Sequence, residues 1–348
     1  MYLQQPRTTA MNVLTPRRFR RNHEPAAHGS PDPQSARQVS RAALVVNPYS
    51  SGMTSRRERE IVALLREHMS VDVLRTERPG HAPDLVRQAC DDGVDVVIAC
   101  GGDGTANEVL NGMQLGERTA TTAPAFALIP AGGTNVFCRS LGLPNQPVHA
   151  TRILARIIAQ GQPRTINLGQ LDERIFLFAA GIGMDGEMVK RIEMRRKGRR
   201  PSDLAHATTV VGMFASERFA LGDRMTVRID DTGEELRSCL VMCGNTTPMT
   251  YIGRLAINFL PDCSLDTGLD FLAPTSQNAR QAIASGMRAL GMLKLGDTAR
   301  SRLGLHHDVT SFTIECDEPQ ACQTDGEYIG DRTHIALRSL PEAVQLFY

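Results

Sequence analysis

The sequence lacks several features that would each fix its class. Its eight cysteines, at positions 90, 100, 138, 239, 243, 263, 316 and 322, include no Cys-x-x-Cys pair. Several lie inside apolar runs, which argues against a disulfide framework or a zinc site and fits reduced thiols in a cytosolic protein. The nine histidines show no ligand spacing, and the neighbours His306 and His307 would face opposite sides of a strand. No uninterrupted apolar stretch approaches the roughly 20 residues of a membrane-spanning helix, and no signal-peptide core precedes a cleavage site. A global charge of one sign is also missing, since 39 Lys and Arg face 38 Asp and Glu. That balance excludes the broad basic field of a dedicated nucleic-acid binder. The expectation is a soluble, cytoplasmic protein of 348 residues, 41% hydrophobic and long enough for two domains with a core each.

Residues 1–40 have little periodic apolar content and are rich in Pro, Ser, Gln and Arg, so they read as a disordered basic tail. Six arginines (7, 17, 18, 20, 21 and 37) face only Glu24 and Asp32 there. No amphipathic helix supports a transit peptide, and Met11 offers an alternative start. From Ala42 the pattern becomes regular. Strands at Ala43 to Val46, Val71 to Leu74, Asp95 to Cys100 and Ala125 to Ile129 alternate with helices, which predicts an α/β domain with a doubly wound parallel sheet over 41–164. Beyond a helix at Val148 to Ala159 the alternation stops. Strands at Thr165 to Leu168, Ile175 to Ala179, Met225 to Ile229, Leu236 to Cys243, Leu269 to Leu272, Val309 to Glu315 and Thr333 to Leu337 predict a second, mainly antiparallel, sandwich-like β domain over 165–348, with helices at about 203–220 and 277–292. The last residues are free to pack back on the first domain. A cleft between the domains is the natural place for an active site.

The chain is organised around Gly101-Gly102-Asp103-Gly104-Thr105-Ala106-Asn107-Glu108. An apolar strand precedes it, and Val109, Leu110 and Met113 follow at helical spacing. Thr105 with Glu108 matches a capping box, which predicts a helix starting just after Thr105 with its free N–H groups turned toward the glycines. Such a terminus attracts phosphate, and glycine permits both positive φ and close approach of an anion. Asp103 is the odd member, because a carboxylate in a phosphate cradle needs a cation beside it; it points to a metal-bound nucleotide. A parallel sheet gathers the Asn47 loop, Thr76, this turn and the Gly132 loop at one edge, where ligands of open α/β sheets bind. Lys190 to Arg200 holds seven basic residues against Glu193. It reads either as a solvated helix end or as a contact for anionic lipid headgroups, while the absence of interleaved aromatics speaks against nucleic acid.

Four ordered motifs together resemble the diacylglycerol kinase catalytic-domain family, which includes sphingosine and bacterial lipid kinases. They are Asn47-Pro48-x-Ser50-x-Gly52, the Gly101 to Glu108 turn, Pro130-x-Gly132-Gly133-Thr134-Asn135, and Thr324-Asp325-Gly326-Glu327, spread over about residues 42–340. The resemblance implies a two-domain, peripherally membrane-associated kinase that transfers the γ-phosphoryl group of ATP, with Mg²⁺, to a lipid hydroxyl. Diacylglycerol is the leading substrate, with phospholipid biosynthesis as the setting, and a homodimer remains open. Carried over by position, Asn47, Thr76, Gly101, Gly102, Asp103, Gly104, Thr105, Ala106, Asn107 and Thr134 would line the ATP site. Asp103 would also serve catalysis beside Mg²⁺, and Glu327 would accept the proton of the lipid hydroxyl. Asp325 would share a face with Glu327 if that segment is extended, whereas Asp-Gly is equally a hairpin turn. The family's structural Mg²⁺ would fall on the carbonyls of Ser264 and Leu269 and on position 267. Here that position is Thr267, a poor ligand for a hard cation, although Asp266 is adjacent. Val136 likewise stands where many relatives carry Asp. Two other readings stay open: an NAD kinase, which shares the Gly-Gly-Asp-Gly turn, and a non-catalytic lipid- or nucleotide-binding protein on the same scaffold.

Overall fold

The computed structural model describes residues 38–115, 120–195, 223–253, 255–274 and 304–348. The expected tail, the helices at 203–220 and 277–292, and Arg196 to Arg200 of the basic run lie outside these residues. The first lobe alternates β1 (Arg41–Val46), α1 (Ser55–Arg66), β2 (Ser70–Arg75), α2 (Ala82–Asp91), β3 (Val96–Gly101), α3 (Asp103–Gly112), β4 (Ala125–Pro130), α4 (Val136–Ser140) and α5 (Pro147–Gln160). Strands β2, β1, β3 and β4 are neighbours in that order, all parallel. Their side chains alternate between two cores, as a pleated strand requires. Ala43, Val45, Val97, Ala99, Phe126 and Leu128 face one cluster, which Val86 of α2 and Leu110 of α3 cover. Ala42, Leu44, Val46, Val96, Ile98 and Ile129 face the other, under Ile61 and Leu65 of α1 and Leu154 of α5. Burial on both faces explains why these strands read as continuous apolar runs.

Because β2 and β3 flank β1 on opposite sides, the chain reverses direction across the sheet between β1 and β3, the place where such sheets bind ligands. The loops that leave these two strands start at Asn47 and Gly102. The amide of Asn47 donates to Cys100 O at 3.0 Å, so the loops leave side by side.

The second lobe comprises β5 (Arg164–Leu171), β6 (Arg174–Phe176), β7 (Ala179–Gly183), α6 (Met184–Arg195), β8 (Met225–Ile229), β9 (Glu235–Ser238), β10 (Leu240–Gly244), β11 (Thr250–Ile252), β12 (Leu255–Ile257), β13 (Leu269–Leu272), β14 (Leu305–Val309), β15 (Ser311–Thr324) and β16 (Glu327–Phe347). Its strands pair antiparallel and surround a third cluster built on Phe176, Ile182, Phe271, Phe312 and Ile335. β16 joins the lobes: it pairs with β15 and β5 along most of its length, and Leu346 and Phe347 then run parallel beside Phe126 and Ala127 of β4.

Two strands expected to be continuous are broken. Leu236 to Cys243 divides into β9 and β10 because the Ser238 hydroxyl bonds Leu240 and the Pro274 carbonyl, which sends the chain from β8 to β7. Ile175 to Ala179 divides into β6 and β7 because the intervening amides turn to a side chain far away in sequence.

Candidate active site

That side chain is Asp325. It sits with Gly326 in the two-residue turn between β15 and β16, at φ +49° and +80°. A turn with both central residues at positive φ matches the twist of the strands it joins, hence Asp-Gly. The extended alternative therefore fails: Asp325 and Glu327 do not share a strand face. Instead the two carboxylates point to different tasks.

Asp325 is buried, and both its oxygens are doubly engaged. Oδ1 accepts from the amides of Phe178 (2.9 Å) and Ala179 (3.2 Å), and Oδ2 from Leu177 N–H (2.8 Å) and Asn107 Nδ2 (2.7 Å). Burial outweighs the pull of the four donors and leaves this carboxyl raised to about 6. Asn107 also donates to Ile175 O, and Asn111, one turn on, exchanges bonds with Ile175 N and O. α3 is thus bolted to the β6 end and to the late hairpin. On the other side of the turn, Gly326 N–H donates to Gln323 Oε1 at 2.9 Å, and Gln323 Nε2 donates to the buried Asp185 at 2.7 Å.

Glu327, the first residue of β16, is held by this frame at the mouth of the glycine turn. Its Oε2 accepts from Arg174 Nη2 at 2.6 Å. Its Oε1 lies against Gly104, where a Cβ would sit 2.5 Å from it. The bare Cα of Gly104 leaves room for the carboxylate against the first turn of α3. Burial pushes the Glu327 carboxyl above the ordinary range, Arg174 opposes that, and Glu108, Asp325 and Glu193 add to it.

The glycine turn differs from its expected form in three respects. α3 begins at Asp103 with Gly102 as its cap, three residues before the predicted start. The capping box does not form, because Glu108 accepts from Gly80 and Ala82 N–H at the start of α2, bracing the loop after Thr76. Gly101, Gly102 and Gly104 are absent from the positive-φ positions, so close approach is what requires glycine here. A Cβ on Gly101 would meet the Thr105 side chain at 2.5 Å, and one on Gly132 would collide with Gly102 Cα. The two glycine loops touch through their backbones, with Ala131 and Gly132 N–H donating to Gly101 O at 2.7 and 3.1 Å.

Asp103 tightens the same junction. Its carboxylate accepts from Val136 N–H (3.0 Å) and Phe137 N–H (3.2 Å), the first amides of α4, whose cap residue Asn135 is in the left-handed region and offers no side-chain cap. Burial pushes the Asp103 carboxyl up, while these amides and Arg139 pull it down. Val136 therefore contributes an amide here. Asn47 Nδ2 donates to Thr105 Oγ1 at 3.1 Å, and Thr76, nearly buried, donates its amide to Val46 O at 2.9 Å. Of the remaining expected ATP contacts, Ala106 and Asn107 are buried, and Thr134 is exposed at the rim beside Gly133.

The residues expected to hold a structural Mg²⁺ do not fit one. Thr267 Oγ1 donates to Ser264 O at 3.2 Å, closing the loop with its own proton. Asp266, the only carboxylate of the set, is paired with the Arg164 guanidinium, which also donates to Tyr348 Oη. Leu269 is a fully buried strand residue of β13. A fixed guanidinium stands where a dication would need open anionic oxygen. Among the described residues, no three His, Cys, Asp or Glu side chains cluster to hold a metal. Thermal unfolding of the nucleotide-free protein is accordingly expected to shift by less than about 1 °C between millimolar Mg²⁺ and chelator, whereas a site of even 100-fold saturation would add about 2.7 kcal/mol.

Arg174, Asn111, Gln323 and Asp185 were not visible as site residues in the sequence, since each acts through a partner far along the chain. Of the basic run, Lys190 pairs with Asp331 (2.6 Å) and Arg191 with Glu187 (2.8 Å). No helix among the described residues is long and apolar enough to cross a membrane.

The chain is similar to known proteins in both sequence and fold. Residues 41–171 match the family model of the diacylglycerol kinase catalytic domain. The chain is 25% identical to a diacylglycerol kinase of Bacillus subtilis over 307 residues, covering 84% of this chain and 91% of that protein. It is 35% identical over 148 residues to a YegS-like protein of Chromohalobacter salexigens named a probable lipid kinase, a match that spans 42% of this chain and only 44% of the relative. The fold is similar to a crystal structure of a diacylglycerol kinase from Bacillus anthracis, with a TM-score of 0.63 at 22% identity, covering 89% of this chain and 97% of that one.

Proposed function

We propose that the chain, whose residues 41–171 match the family model of the diacylglycerol kinase catalytic domain, is an ATP-dependent lipid kinase with diacylglycerol as its acceptor and phosphatidic acid as its product. The observation that carries this reading is the Glu327 carboxylate, brought by the second lobe against Gly104 in the first turn of α3. Phosphoryl transfer is mainly positioning and charge stabilisation, and a carboxylate beside the acceptor hydroxyl both orients it and takes its proton.

In this reading residues 41–164 bind Mg²⁺–ATP as substrate and 165–348 the lipid, with 1–40 a basic tail. Phosphates meet the α3 N-terminus and the Gly132 to Thr134 backbone, where amides and the helix dipole favour anions. Asn47, Thr105 and Asn107 shape that cradle from behind. Asp103, engaged with the α4 amides, sets the spacing of the two glycine loops. A peripheral membrane contact rests on the sequence run Arg195 to Arg200, since Lys190 and Arg191 already have acidic partners.

The test is purified protein with labelled ATP and Mg²⁺, offered diacylglycerol, a sphingoid base and NAD in parallel, with products identified by mass. Label on the glycerol hydroxyl is the expected result. Label on NAD alone would replace this reading with the NAD kinase, and nucleotide binding with no turnover on any acceptor would replace it with a binding protein.

A further inference from the structure

Arg174 opens β6 and presents its guanidinium to two partners. Nη2 donates to Glu327 Oε2 at 2.6 Å, and Nε donates to Thr324 Oγ1 at 3.0 Å. Thr324 is fully buried at the end of β15, so one edge of the planar fork is fixed by a rigid neighbour while the other grips the carboxylate. We propose that Arg174 is a positioning residue for the proton acceptor: it clamps Glu327 from the β6 side so that the opposite oxygen, Oε1, is presented at the bare Cα of Gly104.

The proposal rests on Glu327 acting as base in the reading above. Stability alone is a poor reason for the pair. Both side chains are about one-third exposed, and ion pairs of that exposure contribute about 0–1 kcal/mol. The local charges supply a better one. Glu327 is faced by Glu108 of α3, Asp325 of the turn and Glu193 of α6, whose carboxylate accepts Tyr328 N–H beside it. Among the described residues, Arg174 is the cation that acts on it. Three acids favour the protonated form of Glu327, which cannot take the acceptor's proton, and Arg174 favours the ionised form. One guanidinium thus fixes both the direction of the carboxylate and its readiness as a base.

Arg174→Gln and Arg174→Lys separate this role from packing and from phosphate binding. In Arg174→Gln the acid limb of kcat/KM should move to higher pH, so that the deficit against wild type is about tenfold larger on that limb than on the plateau. KM for ATP should stay within about twofold. Arg174→Lys, which keeps the charge and loses the fork, should return the limb to its wild-type position with kcat only partly restored. An unmoved limb in Arg174→Gln, or a loss confined to KM for ATP, overturns the assignment. Titration of Glu327 by carbon NMR on isotope-labelled glutamate, assigned through Glu327→Gln, reads the same change without turnover. An unmoved titration there sinks the Arg174 role, whereas inactivity of the wild type toward every lipid sinks the kinase reading instead.

Discussion

Glu327→Gln is expected to lower kcat for lipid phosphorylation by about a hundred- to ten-thousandfold, the range over which a positioned acid or base contributes. The amide keeps the shape that fits beside Gly104 and can still accept from Arg174. What it loses is the ability to take a proton. KM for ATP and lipid should therefore change little, because an interaction made only in the transition state appears in kcat and kcat/KM together. Stability should move by no more than about 1 kcal/mol, since the carboxylate is part-exposed and its one ion pair is a surface pair. In the wild type, rate should fall on acidification as Glu327 takes up a proton. Burial and the nearby Glu108, Asp325 and Glu193 place that fall above the ordinary carboxylate range. The residual rate of the Gln variant should show no such limb. A variant with wild-type kcat would remove Glu327 from the chemistry, and with it the observation on which the kinase assignment stands.

The parts of this site that were legible in the sequence are those where one stretch of chain does the whole job. The apolar runs of β1, β3 and β4 announced a parallel sheet because they are buried on both faces, and the polar, glycine-bearing loops after them fell on its ligand edge. Gly101 and Gly104 were marked as special, although the reason is close contact with Thr105 and Glu327, since neither is at positive φ. The parts that stayed hidden depend on partners far away in sequence. Glu108 looked like the far half of a capping box, yet its carboxylate serves Gly80 and Ala82, 28 and 26 residues earlier. Ile175 to Ala179 looked like one strand because its composition is that of one, and nothing local shows that its amides turn to a carboxylate almost 150 residues on. Thr267 was recognised as a poor metal ligand, but only the structure shows its proton on Ser264 O and Arg164 on Asp266.

Asp325→Asn is expected to be the most destabilising single-atom change in the site, costing about 3–5 kcal/mol in denaturant unfolding, the scale for removing one partner of a buried charged cluster. The side chain is nearly isosteric, so no cavity arises. The chemistry is reversed, however. All four groups around the carboxylate are donors: three amides of the 177–179 segment and the Asn107 NH₂. An asparagine there must aim its own NH₂ at two of them, leaving buried donors face to face without acceptors, and each such group costs about 1–3 kcal/mol. Asp325→Ala leaves all four donors unpaired and opens a void as well, so it should be at least as severe. The consequence reaches function through geometry. The 177–179 amides hold the break between β6 and β7, and Asn107 holds α3 to the same point, so loosening Asp325 frees both the β6 end that carries Arg174 and the turn that carries Glu327. Activity of Asp325→Asn should fall even at temperatures where the protein remains folded, and the loss should include KM for ATP, because α3 itself shifts. That pattern separates it from Glu327→Gln, whose loss is in kcat alone. An Asp325→Asn protein with wild-type unfolding would show that the four donors find acceptors elsewhere, and that the late hairpin is not fastened to the glycine turn through this carboxylate.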